Sequence, residues 1–173
     1  MFRKFVESNK GLAAVEFALV LPVLLILLIG SVGAFDLFRA DRSVSYAANS
    51  IVDLTARQII VTESTVDTLF ATGRALIGRY ETPGSVSISV ASIISDAGNN
   101  LSVDWSRAEG GAALIADGDI QSLDLPNIPP NESVVFIRVE NEYTPLFKTN
   151  FTFSRDAVRR PRFVAQIAFD SGP

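Results

Sequence analysis

Glu16 is a carboxylate set in apolar sequence. Behind it lie Gly11-Leu12-Ala13-Ala14-Val15, and ahead of it Phe17 to Phe35 contains no charged residue. A carboxylate in lipid costs about 2.5–3.5 kcal/mol at the centre of a helix on insertion scales, and less near the interface. Two readings follow. Glu16 either sits at the interface, favoured by the positive end of its own helix, or it meets a cation supplied by a partner. Other acids are less pointed. Asp117, Asp119 and Asp124 could hold a hard cation, but their spacing departs from the Asp-x-Asp-x-Asp-Gly of a calcium loop, and no metal site is assigned. Arg155, Arg159, Arg160 and Arg162 form a basic patch, by default a solvated face and, as the sharper alternative, a contact for an acidic partner subunit. The chain has no Cys and no His, which removes disulfides, thiolate chemistry, the usual general base and most zinc sites. Lys148 is the only lysine beyond Lys10, and no GxSxG or SxxK pattern stands out. The reading is a protein without catalytic residues or cofactor.

The element that must position Glu16 is the apolar run itself. At roughly 1.5 Å per residue, the uncharged stretch from Phe17 to Phe35 makes a helix about 28 Å long, one hydrocarbon thickness. A conventional secretory signal has an apolar core of about 7–15 residues, and this run is longer, although Gly30-Ser31-Val32-Gly33-Ala34 at its end offers small residues for conventional cleavage; a plain uncleaved anchor is a further alternative. Arg3, Lys4 and Lys10 precede it, whereas Asp36, Arg39, Asp41 and Arg42 after it are mixed, so the N-terminus is expected on the cytoplasmic side. Pro22 lies within the run and frees a carbonyl one turn back. Gly30 and Ala34 form a small-xxx-small pair that permits close approach of another helix.

Beyond the run, no Pro or Gly interrupts residues 36–60, and Leu37, Ala40, Val44, Ala47, Ile51 and Leu54 recur at helical spacing. One helix from Leu12 to Ile60 is predicted, half in lipid and half packed on a domain. A second helix is expected from Ser64 to about Arg79, with Ser64 and Asp67 as a capping box and Val66, Leu69, Phe70, Gly73, Leu76 and Ile77 as its apolar face. Val86, Ile88 and Val90 alternate with serines, and Leu101, Val103 and Trp105 alternate again after a turn at 96–100, which predicts a hairpin of 86–94 with 101–107. Trp105 is read as core or sheet surface. Residues 108–132 read as loop, and Asn131-Glu132-Ser133 as a chance match to a glycosylation sequon. Ser133 to Tyr143 is the strongest strand, followed by a short edge strand over 147–153. Phe163, Ala165, Ile167 and Phe169 suggest a last one. The fold class is therefore α+β with a mostly antiparallel sheet. Residues 36–173 carry 12 basic and 17 acidic groups, and on this topology they face the periplasm, so no nucleic-acid partner is expected.

Gly11, four mostly small or apolar residues, Glu16-Phe17, Ala18-Leu19 and Pro22 together resemble the N-terminus of a type IV prepilin. They are most similar to the TadE/TadG minor pilins (pseudopilins) of bacterial tight-adherence pili. Pro145-Leu146 after the long strand fits the same family. The resemblance implies a leader at 1–11 cut between Gly11 and Leu12 by a prepilin peptidase, a transmembrane helix at 12–35, and a periplasmic pilin-like domain at 36–173. It also implies that Glu16, with Phe17 beside it, pairs with the Leu12 ammonium of a neighbouring subunit. The partners it implies are other pilin and pseudopilin subunits, the inner-membrane assembly platform and membrane lipid. The location is the bacterial inner membrane, with entry into the pilus left open. Two other classes stand beside this one: a bitopic protein with a periplasmic sensor or ligand-binding domain, and a membrane-tethered enzyme.

Overall fold

The computed structural model describes residues 9–145 and 149–171, with side chains from Ala13 onward. Arg3 and Lys4, the Lys10 and Leu12 side chains, Leu146, and the start of the edge strand expected from Phe147 lie outside the described residues. One helix, α1, runs Asn9–Thr55 and passes through Pro22 without a break. It stops before the expected Ile60. The chain closes on itself through Ala56 N–H to Val52 O (2.9 Å) and Gln58 N–H to Thr55 O (3.0 Å), and Arg162 N–H caps Ala56 O from the far end of the sequence (2.8 Å). The β-branched run that follows suits extended backbone better than helix. It forms β1 (Ile60–Thr62), which pairs in parallel with β6 (Ala168–Asp170). Thr62, not Ser64, caps the second helix α2 (Glu63–Ile77), its hydroxyl accepting from Thr65 N–H (3.2 Å). A 3-10 turn, Gly78–Tyr80, follows.

The main sheet has four antiparallel strands in the order β3-β2-β4-β5: β2 is Val86–Ser95, β3 Leu101–Glu109, β4 Ser133–Tyr143 and β5 Phe151–Arg159. The hairpin β2–β3 and the long strand β4 lie where the alternation placed them. Strand β5 extends well past the expected 153, so Arg155 and Arg159 stand on a strand. The expected last strand shrinks to β6, outside the main sheet; Ile167 is buried but Phe163 is 70% exposed. A register shift at Ser92/Ile93, opposite Asp104, breaks the alternation of β3. A bulge of this kind turns neighbouring side chains to opposite faces. Val103 therefore packs on one side of the sheet and Trp105 on the other.

Two cores result. On the first face, α1 and α2 cover Val86, Ile88, Val90, Val135, Ile137 and Val139, with Trp105 donating its indole N–H to Ile167 O (2.9 Å). On the second, Ala91, Ile93, Val134 and Phe136 meet Ile115, Ile120, Leu123 and Ile128. The loop-like stretch 108–132 thus carries the lid of a second core, including the 3-10 turn Asp117–Ser122. From α1, Ala40, Val44, Ala47, Ala48, Ile51 and Val52 are completely buried. The expected stripe drifts: a seven-residue repeat slips about 20° per heptad on a straight helix, so Leu54 ends 39% exposed while Val52 and Thr55 come inside. Gly73 of α2 lets the two helices close up; a Cβ there would stand 2.4 Å from Ile51 Cδ1 and 2.9 Å from Ile88 Cδ1.

Candidate functional site

The first half of α1 has no protein around it. Every residue from Ala13 to Val32 is exposed, including Leu19 at 71% and Ile26 at 70%. A helix of a soluble core would be covered along one face. Among the described residues, this is the one helix long and apolar enough to cross a membrane. It runs without interruption into the buried half, so the exposed apolar stretch and the spine of the domain belong to one helix.

Glu16, Phe17, Gly30 and Ala34 all lie on this uncovered half. At about 100° per residue, Ala34 falls five turns beyond Glu16 on the same side of the cylinder, with Gly30 within about 40° of that line. A Cβ at Gly30 would meet nothing within 4 Å. The strip is therefore open to another helix along its length, and Glu16 stands in it with no cationic partner among the described residues. Gly11 and Leu12 belong to the same continuous helix by backbone.

Where α1 leaves its apolar stretch, a polar knot ties it to the domain. Arg79 donates to Asp36 Oδ1 (2.7 Å) and to the Tyr80 hydroxyl (2.8 Å), Tyr80 donates to the same oxygen (3.3 Å), and Tyr143 donates to Asp36 Oδ2. The two tyrosine rings meet edge to face at 5.2 Å. The Tyr143 hydrogen bond, then the Arg79 charge and the remaining donors, hold the Asp36 carboxyl below its usual range against some desolvation. The same bond pushes the Tyr143 phenol up to about 12, with desolvation and the Asp36 charge adding to it. Asp36 was legible as the first charge after the apolar run. Its partners, 43 to 107 residues away, were not.

The four arginines of the basic patch are exposed, as a solvated face requires, and they also reach partners within the chain. Arg155 pairs with Asp41 and donates to Ser45 Oγ (3.1 Å), Arg162 pairs with Asp53, and Arg160 pairs with Glu132 (3.1 Å). Arg159 reaches Asn49 Oδ1 (3.5 Å). Three of the four arginines thus fasten α1 to the sheet side of the domain. Asp53 also binds Arg57, and that bond, followed by the Arg162 and Arg57 charges, lowers its carboxyl against some desolvation. Asp117 and Asp119 accept from backbone N–H groups of Val103 (2.6 Å) and Ala116 (2.9 Å), fixing the lid loop. Among the described residues no group of acids is arranged to hold a metal ion.

The family model described as TadE-like protein matches residues 11–53, from the Gly before the apolar run to the last turn of α1. No curated protein and no solved structure matches the chain.

Proposed function

From a TadE-like segment that spans residues 11–53, we propose that the chain is a minor pilin or pseudopilin acting in assembly of a tight-adherence type IV pilus. The observation that carries this reading is the uncovered half of α1. An apolar helix bare on all sides, with an acid one turn from the matched Gly11-Leu12 junction, is built to be surrounded by lipid and by other helices. A prepilin peptidase cuts between Gly11 and Leu12. Residues 12–35 then anchor the subunit in the inner membrane with the N-terminus cytoplasmic and residues 36–173 periplasmic. Glu16 takes the new Leu12 ammonium of a neighbour, which lowers the cost of both charges in lipid and sets axial register. Gly30 and Ala34 let the adjoining helix come close. The subunit works through these contacts with pilin subunits and the assembly platform, without catalysis or cofactor.

The test is mass spectrometry of the mature N-terminus in cells carrying the peptidase, joined to an assembly assay. A start at Leu12, lost in Gly11→Val, is expected. Glu16→Gln is expected to leave insertion and cutting intact but to impair assembly. An intact leader in wild type, with full pilus assembly by Glu16→Ala, would sink the proposal.

A further inference from the structure

We propose that the cleft at the foot of the domain binds the phosphate of an acidic phospholipid from the leaflet on the domain's side. The inference rests on the reading of α1 as a membrane helix. The cleft, about 1000 Å³, opens between the last exposed turns of α1, the 3-10 turn after α2 and the end of β4. Its lower wall is apolar, with Val32 and Phe35; its upper wall carries Arg39, Arg79, Tyr80 and Tyr143. Counted from Glu16 at about 1.5 Å per residue, Asp36 lies about 30 Å along the helix, at the opposite hydrocarbon boundary. Aromatic and arginine side chains collect at this depth because one end of each is apolar and the other wet.

Charge decides the occupant. Asp36 has both oxygens engaged by Arg79, Tyr80 and Tyr143, so it holds the wall together and has little left for a ligand. Arg79 remains 64% exposed on its side chain, with the rest of its fork open. Arg39 has no carboxylate partner among the described residues and lies 5.0 Å over the Phe35 ring. Two guanidiniums against one carboxylate leave a single positive charge over an apolar floor. One phosphodiester anion with acyl chains below it matches both halves. A free anion would leave the floor empty.

The experiment is native mass spectrometry of the full-length chain in detergent, titrated with dioleoylphosphatidylglycerol or dioleoylphosphatidylcholine. Wild type is expected to retain one molecule of the anionic lipid about tenfold better than the zwitterionic one. Arg39→Gln/Arg79→Gln is expected to bring that preference below about twofold. Arg39→Gln alone, which removes no ion pair, is expected to lose about half of the logarithmic preference, with the circular dichroism unchanged. Arg42→Gln, outside the cleft, keeps the wild-type value. Equal preference in wild type and the double variant would overturn the lipid site, as would displacement of the lipid by excess inorganic phosphate. Alkaline extraction of cell membranes separates this failure from failure of the anchor. A chain released to the supernatant overturns both; a chain that stays in the pellet without lipid preference overturns the cleft alone.

Discussion

Residues 13–32 and residues 40–56 belong to one helix and contrast in almost everything else. The first stretch, Glu16 and Ser31 apart, is apolar on all sides, and every residue of it is exposed. The second is built on alanine and valine toward the sheet, with polar and charged residues on the remaining faces. The difference fits two solvents along one rod, lipid and protein. Lipid accepts large side chains all round, because it asks for no shape. A protein face requires small residues at fixed spacing so that Ala40, Ala47 and Ala48 can sit flush on the strands, at interior packing density. Between them Asp36 and its partners mark the changeover.

Substitutions that treat the two halves alike should expose this contrast. The largest effect is expected for Ile51→Ala, which empties a fully buried position between α1, α2 and β2 and should cost about 2–5 kcal/mol in denaturant unfolding of the domain. Gly73→Val should follow at about 1–3 kcal/mol, since the new methyls collide with Ile51 and Ile88 and force the helices apart. Tyr143→Phe removes a half-buried hydrogen bond to a carboxylate and should cost about 1 kcal/mol.

That bond also sets pH limits. The Asp36 contribution is present above its unfolded pKa of about 3.9 and is lost as pH falls through its lower folded value. The Tyr143 contribution is present below the ordinary phenol value of about 10 and is lost as pH rises through about 12. Melting across both windows should therefore show a smaller pH dependence in Tyr143→Phe than in wild type; identical profiles would count against the knot. Asp41→Asn, which breaks an exposed pair with Arg155, should cost about 0–1 kcal/mol and its effect should vanish in high salt. The smallest change in domain unfolding is expected for Ile26→Ala, within about 0.5 kcal/mol, because this isoleucine touches no part of the domain. A loss comparable with Ile51→Ala would mean that the first half of α1 packs on the domain after all.

Local periodicity carried much of the fold. The apolar run, the stripe from Ala40 to Ile51, the β2–β3 hairpin and the bounds of β4 follow from spacing alone, since each depends on neighbours within a few residues. Glu16 and the Gly30/Ala34 pair were each noted from the sequence, but their lying along one side of α1 was not. What misled was also local. The β-branched residues after Thr55 continued the helical reading, yet they extend because β6 offers them a parallel partner more than a hundred residues later. Trp105 and Val103 were read on one face, and only the bulge opposite Ser92 and Ile93 parts them.

The amino-acid sequence by itself determined that this chain has an apolar helix of membrane length, an acid at its start, and an α+β domain built on that helix. Those features are written in hydropathy and in periods of 3.6 and 2, which need no knowledge of distant contacts. The tertiary structure alone decided what the charges do. It laid Arg155, Arg159 and Arg162 across the surface of α1, made a second core of the 108–132 stretch, and gathered Asp36, Arg79, Tyr80 and Tyr143 at the end of the bare helix. Pairs such as Asp36–Tyr143 join residues that neither share an element nor repeat a pattern. Their meeting depends on how the sheet closes over the helix, and that is a property of the packed fold.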